Sequence, residues 1–340
     1  MNTMSNVVSD FFTKAKTDAP FMGLSLAVLV PCYNEGAAIA TVVKDFKYHL
    51  PTADIYVYDN NSMDDTIAQA RAAGAIVRSE PRQGKGHVVR RMFSDVDADV
   101  YIMVDGDDTY DASKAPDMIS EMIEEGLDLV NGVRIAESTS AYRPGHKFGN
   151  KMLSGIVQAI FGRGTTDMLS GYRVFSNRFV KTFPMMSRGF EVETELTVHA
   201  LELQMPIGEI HGSFKDRAEG SESKLNSIRD GVRILKTIAR LWSQERPFAV
   251  LGSAAAIFAL VSLILAAPVF VEYFQTGLVP RLPTAVLSAT MMSIAFLLAL
   301  VGRILDLITK GRQESKRMQY LAVPGVLSEA QTRRRAQSND

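Results

Sequence analysis

From Pro247 to Val271 the chain runs for about 25 residues without a charge, as PFAVLGSAAAIFALVSLILAAPVFV. A second uncharged run, LPTAVLSATMMSIAFLLALV, covers residues 282–301. As helices the two would reach roughly 37 and 30 Å, against about 30 Å of hydrocarbon core in a bilayer. A pair of buried core helices has the same composition. Two such runs, joined by a short loop and following a complete-looking domain, are expected instead to form a transmembrane hairpin. Pro268 is compatible with this, because membrane helices tolerate proline.

The flanks of the hairpin set its direction. Arg229, Arg233, Lys236, Arg240 and Arg246 precede it, and Arg303, Lys310, Arg312, Lys316 and Arg317 follow it. The connecting loop carries one basic residue, Arg281. The positive-inside rule then predicts both termini in the cytoplasm. Just before the hairpin, in LNSIRDGVRILKTIARLWSQ (225–244), Leu225, Ile228, Val232, Leu235, Ile238 and Trp242 recur at helical spacing. Their basic neighbours fall on other faces, as in an amphipathic helix lying among lipid headgroups.

The upstream part alternates strand and helix. Strand patterns at 24–35, 53–66, 75–80 and 99–105 are separated by helical patterns at 37–50, 66–74 and 86–96. This order predicts an α/β domain with an open, mostly parallel, Rossmann-like sheet. Ligands of such sheets bind beyond the carboxyl ends of the strands, where Glu35, Asp59 and Asp105 all stand. Lys+Arg number 37 and Asp+Glu 38, so no global charge draws the chain to nucleic acid. Cys32 is the single cysteine, which excludes a disulfide within the chain and fits a reducing compartment. Residues 1–23 read as a polar lead-in without the apolar core of a cleaved signal peptide.

Asp59 taken alone could be a helix N-cap, and PRQGKG (81–86) a plain glycine turn. No Ser or Thr follows Lys85, and no G-x-G-x-x-G is present, which disfavours a P-loop nucleotidase and a Rossmann dinucleotide enzyme. The stretch DVYIMVDGDDTYDA (99–112) is more telling. An apolar strand ends in a cluster of carboxylates without one basic residue. Asp105 and Asp107, one residue apart, can converge on a hard divalent cation such as Mg2+ or Mn2+, which suits a diphosphate substrate.

The chain resembles the family 2 inverting glycosyltransferases of the GT-A fold. Within them it is similar to the polyprenyl-phosphate branch, which includes dolichyl-phosphate mannose synthases and bacterial undecaprenyl-phosphate glycosyltransferases. The resemblance runs from about Leu24 through the hairpin. Its motifs are VPCYNE (30–35), YDNNSMDDT (58–66), RQGKG (82–86), DGD (105–107), NGVRI (131–135), DMLSGYRVFS (167–176), GFEVETEL (189–196) and EGSESKLN (219–226).

The resemblance implies roles for matching residues. Pro31, Tyr33, Glu35 and Asp59 would line the nucleotide pocket, with Gln83, Gly84 and Lys85 near the sugar diphosphate. Asp105 and Asp107 would hold the metal. Thr109 stands where some relatives carry an amide, as the candidate third ligand. Arg134 would approach the acceptor phosphate. Arg143, His146 and Lys147 compete for the place of a second cation. Ser170, Gly171, Tyr172 and Arg173 would lie on the acceptor side. Arg217 and Lys224 flank a loop that closes over the donor in relatives, and Glu193 is a further candidate. The domains implied are a lead-in (1–23), a GT-A catalytic domain (24–222), an interfacial amphipathic helix (223–246), two transmembrane helices within 247–305 (247–271 and 282–303), and a basic cytoplasmic tail (306–340).

The implied reaction moves a sugar from a UDP- or GDP-linked donor to a polyprenyl phosphate, undecaprenyl by preference, for cell-envelope glycans. The implied location is the inner (cytoplasmic) membrane, with no nucleic-acid partner. Self-association into a homo-oligomer is left open. A polysaccharide synthase of the same fold would need more membrane helices and usually a QxxRW-like motif, which LWSQERP does not supply. A non-catalytic membrane-anchored partner subunit is the other alternative, and the intact DGD argues against it.

Overall fold

The computed structural model describes residues 20–136, 146–162, 164–217 and 227–337. The chain divides into two compact units: residues 1–235 with 317–340, and residues 236–316.

The first unit is built on a seven-stranded sheet in the order β3-β2-β1-β4-β6-β5-β7. The strands are β1 Leu26–Cys32, β2 Asp54–Asp59, β3 Ile76–Ser79, β4 Val100–Met103, β5 Leu129–Ala136, β6 Arg173–Ser176 and β7 Ile207–Phe214. β1 pairs in parallel with β2 and β4, β2 with β3, and β5 with β7, while β6 lies antiparallel between β4 and β5. The expected mostly parallel α/β sheet is therefore present, with β6 alone running against the rest.

The strands are apolar on both faces because helices cover both. Val28 and Val30 point into one cluster with Ile39, Val43 and Phe46 of α1 (Ile39–His49) and with Met118, Ile119 and Met122 of α4 (Ala115–Glu125). Leu29 and Tyr101 point into the other, with Val89 and Met92 of α3 (Lys85–Asp95) and Leu196 of α7 (Val192–Glu202). Helices α2 (Thr66–Ala72), α5 (His146–Phe161) and α6 (Asn177–Thr182) complete the layers.

β1 is the point at which the strand order turns, with β2 on one side and β4 on the other. Its register sets Cys32 beside Asp59, and Leu29 beside Met103. The residues following β1, β2 and β4 therefore gather at one edge of the sheet. The antiparallel β6 places Arg173 in one row between Met103 of β4 and Asn131 of β5.

Within the segment expected as a basic cytoplasmic tail (306–340), residues 306–337 are mostly helical. The second long helix runs on to Ala322, and a further helix, Val326–Gln337, follows. Val326 and Ala330 are buried in the core of the first unit. Tyr320 donates its hydroxyl to Asp128 at 2.7 Å, and the Arg178 guanidinium lies 4.4 Å from the Tyr320 ring centre while its Nε pairs with Asp128 at 2.5 Å. Arg333 pairs with Asp99 at 2.7 Å. The basic composition had hidden two apolar anchors four residues apart.

Helix α8 (Ser227–Glu245) begins in the first unit and ends in the second. Of its expected apolar stripe, Val232, Leu235 and Trp242 are exposed and Ile238 is buried. In the second unit, α9 (Pro247–Thr276) and α10 (Leu282–Ala322) form the hairpin. Small residues line their contact. Ala255, Ser262, Ser288 and Ala295 are buried, and Ser262 donates to the Ser288 carbonyl at 2.7 Å. This is how membrane helices pack when no hydrophobic drive separates them from lipid. Only 11% of the most apolar stretch of α9 is buried, and Leu260, Ile264, Phe270 and Phe296 are each at least 60% exposed. A soluble core helix would hide such side chains. Both helices are long and apolar enough to cross a membrane.

Candidate active site

At the carboxyl edge of the sheet lies a cleft of about 360 Å³, lined by residues from Pro31 to Ile234, all within the first unit. Its floor is the end of β4. The strand stops at Met103, and the chain then turns through Gly106 and through Asp108, whose φ is +56°. Gly106 is required sterically, since a Cβ there would lie 2.6 Å from the Cys32 sulfur.

Asp105 and Asp107 both line the cleft, and each carries a cation of the chain itself. Lys85 Nζ lies 2.5 Å from Asp105 Oδ1 and 2.6 Å from Glu193 Oε1. Arg217 lies 2.6 Å from Asp107 Oδ2. Thr109 also reaches Asp107, donating its hydroxyl to Oδ1 at 2.6 Å. Burial opposes the charged form of Lys85, but the Asp105 and Glu193 carboxylates outweigh it and raise its pKa above the ordinary lysine value. Burial and the neighbouring Asp105 push the Asp107 carboxyl upward, with Arg217 opposing. Such a carboxylate gains from a nearby positive charge.

Backbone geometry delivers these cations. Asn60, after β2, accepts from Gly84 N–H at 2.7 Å and donates to the carbonyls of Glu80 and Arg82, each at 2.8 Å. That fixes the QGKG turn, from which Lys85 starts α3. Gly84 has φ +128°, and a Cβ there would lie 2.2 Å from the Arg188 carbonyl oxygen, so only glycine fits. Arg217 arrives because the end of β7 bonds to the loop after β4, through a Tyr110–Phe214 bridge and Lys215 N–H to the Thr109 carbonyl at 2.9 Å.

Arg134, near the end of β5, also lines the cleft. Its Nε and one terminal nitrogen each lie 2.7 Å from Asp167, a side-on pair, and its guanidinium lies 5.4 Å from the Phe214 ring centre. Asn150 donates to Asp167 at 2.8 Å. Burial opposes ionisation of Asp167, yet Arg134 holds its carboxyl below the usual range.

Pro31, Tyr33, Glu35, Gln83, Gly84, Lys85, Asp105, Asp107, Thr109, Arg134, Glu193 and Arg217 all line this cleft. Several other expected residues do not. Asp59 turns its carboxylate to the Ser62 N–H at 3.2 Å, and the neighbouring Asn60 faces the cleft instead. Ser170 is fully buried and donates to the Gly132 carbonyl at 2.5 Å. Arg173 is fully buried as well. It spends its guanidinium on the carbonyls of Ser170 and Met168 and on Thr197 Oγ1, and burial lowers its pKa to about 10. As the first residue of the central antiparallel strand it braces the 168–170 loop from within. Tyr172 is buried in the core. Arg143 and Lys224 lie outside the described residues, as do the side chains of His146 and Lys147, which open α5.

Asn60, Tyr110, Phe190, Phe214 and Arg233 line the cleft without having been expected there. Asn60 was legible as the polar residue after β2. Phe214 and Arg233 were not, because they arrive from distant segments.

Gly171 packs against Asp105, its N–H donating to the Tyr110 hydroxyl at 2.8 Å. A Cβ there would meet Asp105 Oδ2 at 2.2 Å. Gly171→Ala should displace that carboxylate and cut turnover about ten- to a hundredfold, from an overpacking cost of about 1–3 kcal/mol. Rates and thermal unfolding measured together check this, and an unchanged rate would show that Asp105 can move freely.

Residues 27–183 match the model named Glycosyl transferase family 2. The chain is 31% identical over 304 residues to Glycosyltransferase AglJ of Haloferax volcanii, covering 87% of this chain and 98% of that one. It is 27% identical to a dolichyl-phosphate hexose transferase of the same organism, covering 65% of this chain and 95% of that one. Among solved structures, glucosyl-3-phosphoglycerate synthase from Mycobacterium tuberculosis, in complex with Mg2+ and UDP, superposes with a TM-score of 0.52 at 21% identity, over 68% of this chain and 83% of that one. That likeness is one of fold, and it agrees with the sheet described above. With a mostly parallel GT-A sheet, an acidic pair in its cleft and a relative matched over nearly its whole length, the chain belongs to glycosyl transferase family 2 and is a glycosyltransferase.

Proposed function

We propose that the protein transfers a hexose from a nucleotide-sugar, UDP- or GDP-linked, to a polyprenyl phosphate at a membrane surface, with Mg2+ or Mn2+ as cofactor. The observation that carries this reading is that an acidic pair and Arg134 line one cleft, in a chain with two helices of membrane length. The dolichyl-phosphate hexose transferase among its relatives supports it.

The residues present fit a divalent cation. Asp105 and Asp107 are oxygen donors, and each now holds a positive group of the chain, as an acidic pair must. The metal, when bound, would neutralise charge on the departing nucleoside diphosphate. Thr109 serves this pair by holding Asp107 in orientation. Pro31, Tyr33, Glu35, Asn60, Gln83 and Gly84 would form the donor pocket, with Asp59 bracing the turn at Ser62. Lys85 and Arg217 would turn to the diphosphate. Arg134, held by Asp167, would receive the acceptor phosphate. Arg143, His146, Lys147 and Lys224 are the candidates for a second acceptor cation.

An acceptor phosphate is already an anion at neutral pH, so no general base is needed. Its oxygen forms a bond to the anomeric carbon as the bond from that carbon to the diphosphate oxygen breaks. The electron pair leaves with the nucleoside diphosphate, and the anomeric configuration inverts. What the chain must supply is cations that hold two negative partners side by side.

Membranes containing the protein, incubated with polyprenyl phosphate and a panel of radiolabelled nucleotide-sugars, should yield label that extracts with lipid for one donor. Label confined to water-soluble product for every donor would overturn the lipid acceptor.

The exposed Val232, Leu235 and Trp242 support α8 lying in the headgroup layer. The basic flanks support a cytoplasmic catalytic unit at the inner membrane, with both termini inside. In intact cells a cysteine placed at Leu278 should react with an impermeant maleimide, and one placed in the C-terminal tail should not. The reverse pattern would overturn this topology.

A further inference from the structure

We propose that Glu193 is a positioning residue of the metal site: it is a second seat for the Lys85 ammonium, which lets a divalent cation take Asp105 without leaving Lys85 uncompensated. This rests on the reading that Asp105 and Asp107 hold the cation.

Lys85 Nζ sits between two carboxylates, 2.5 Å from Asp105 and 2.6 Å from Glu193. The side chains of Lys85 and Glu193 are 9% and 6% exposed. A buried ammonium cannot lose its partner without a large penalty. A divalent cation arriving at Asp105 competes for the same oxygens and repels the ammonium. With Asp105 as its sole partner, Lys85 would oppose metal binding directly.

Glu193 removes that conflict. It projects from the first turn of α7, on an element distinct from those that carry Asp105 and Lys85. Its Oε1 already holds Nζ. Its Oε2 is buried and has no hydrogen-bond partner among the described residues. That oxygen is the acceptor that can replace Asp105 when Lys85 gives it up. An ammonium has three donors, so both Glu193 oxygens can be served at once. The Phe190 ring, 6.0 Å from Nζ, flanks the same position. Lys85 thereby stays in the cleft, charged, on the side where the donor diphosphate is expected.

A double-mutant cycle on the full chain in detergent tests this. Mn2+ is the probe, with its free concentration read by electron paramagnetic resonance, alone and with UDP or GDP. Glu193→Gln should weaken Mn2+ binding about tenfold, the loss of one charge-assisted contact. Without nucleotide, Lys85→Met should not weaken it, because the competitor is gone. In the Lys85→Met background, Glu193→Gln should change the affinity less than about twofold, since there is no ammonium left to seat. Equal loss in both backgrounds would overturn the proposal and make Glu193 act on the metal directly. Unchanged affinity in Glu193→Gln would overturn it as well. Absence of Mn2+ binding by the wild type under every condition is a different result: it would remove the metal reading and the proposal with it. Thermal unfolding is followed for each variant. Glu193→Asp, which sets the charge one methylene further back, replaces Glu193→Gln where the latter does not fold, with the same sign expected.

Discussion

Asp107→Asn should lower sugar transfer at least about a thousandfold while leaving the fold intact. The expectation follows from the position of this carboxylate. Its side chain is 5% exposed, pairs with Arg217 at 2.6 Å and accepts from Thr109. Asparagine keeps the shape and an oxygen for Thr109 but removes the charge that a divalent cation requires. Metal stabilisation of a departing diphosphate contributes several kcal/mol, and about 4 kcal/mol corresponds to roughly a thousandfold. Asp107→Ala should be as inactive and less stable, because it also removes the oxygen that accepts from Thr109. Excess chelator should abolish wild-type transfer, and added Mn2+ should restore it. Transfer rates over a metal titration, beside thermal unfolding, provide the measurement. Full activity in excess chelator would remove the metal from the mechanism.

Arg134→Ala should lower transfer about ten- to a hundredfold and leave nucleotide-sugar affinity nearly unchanged. A charge-assisted contact to phosphate contributes about 1.5–3 kcal/mol. The structure adds a complication, because Arg134 is also the partner of a buried carboxylate: Asp167 is 5% exposed. Removing the arginine strands that charge, and breaking a buried pair costs about 3–5 kcal/mol of stability. A slow Arg134→Ala enzyme could therefore be merely a poorly folded one. The double variant Arg134→Ala/Asp167→Asn separates the two, since it removes the stranded charge as well. It should recover stability and remain slow. Arg134→Lys should recover little, because an ammonium cannot match a planar guanidinium that pairs side-on with Asp167 and lies over Phe214. Calorimetric donor binding and transfer rates are measured on all four proteins. If donor affinity falls as far as the rate, Arg134 belongs to the donor pocket.

Much of this site was legible in the sequence because parallel sheets obey a simple rule. Apolar strands that end in polar residues place those residues at one edge, so Glu35, Asp59 and Asp105 were expected at one cleft; Glu35 and Asp105 line it, while the Asp59 carboxylate accepts from Ser62 instead. The hairpin was legible for a similar reason: a long run without charge has few solvents it can live in. Arg173 does not follow that rule. Its place in a sequence motif suggested a ligand contact, but the reversed strand β6 carries it into the middle of the sheet, where its guanidinium serves carbonyls. The C-terminal segment shows the same limit. It read as a basic cytoplasmic tail, and nothing in that composition showed that Val326 and Ala330 anchor it in the core or that Tyr320 reaches Asp128 across the chain.

By itself the sequence determined the local periodicities, the helices of membrane length and the acidic strand ends, because each depends on residues close together in the chain. Only the tertiary structure decided which cation sits on which carboxylate. Lys85 joins Asp105 to Glu193 across more than a hundred residues, and Arg217 reaches Asp107 because the end of β7 bonds to the loop after β4. Coulomb attraction between buried groups depends on separation in space and on the water excluded around them. Neither quantity is written in the order of the residues until the strands have paired.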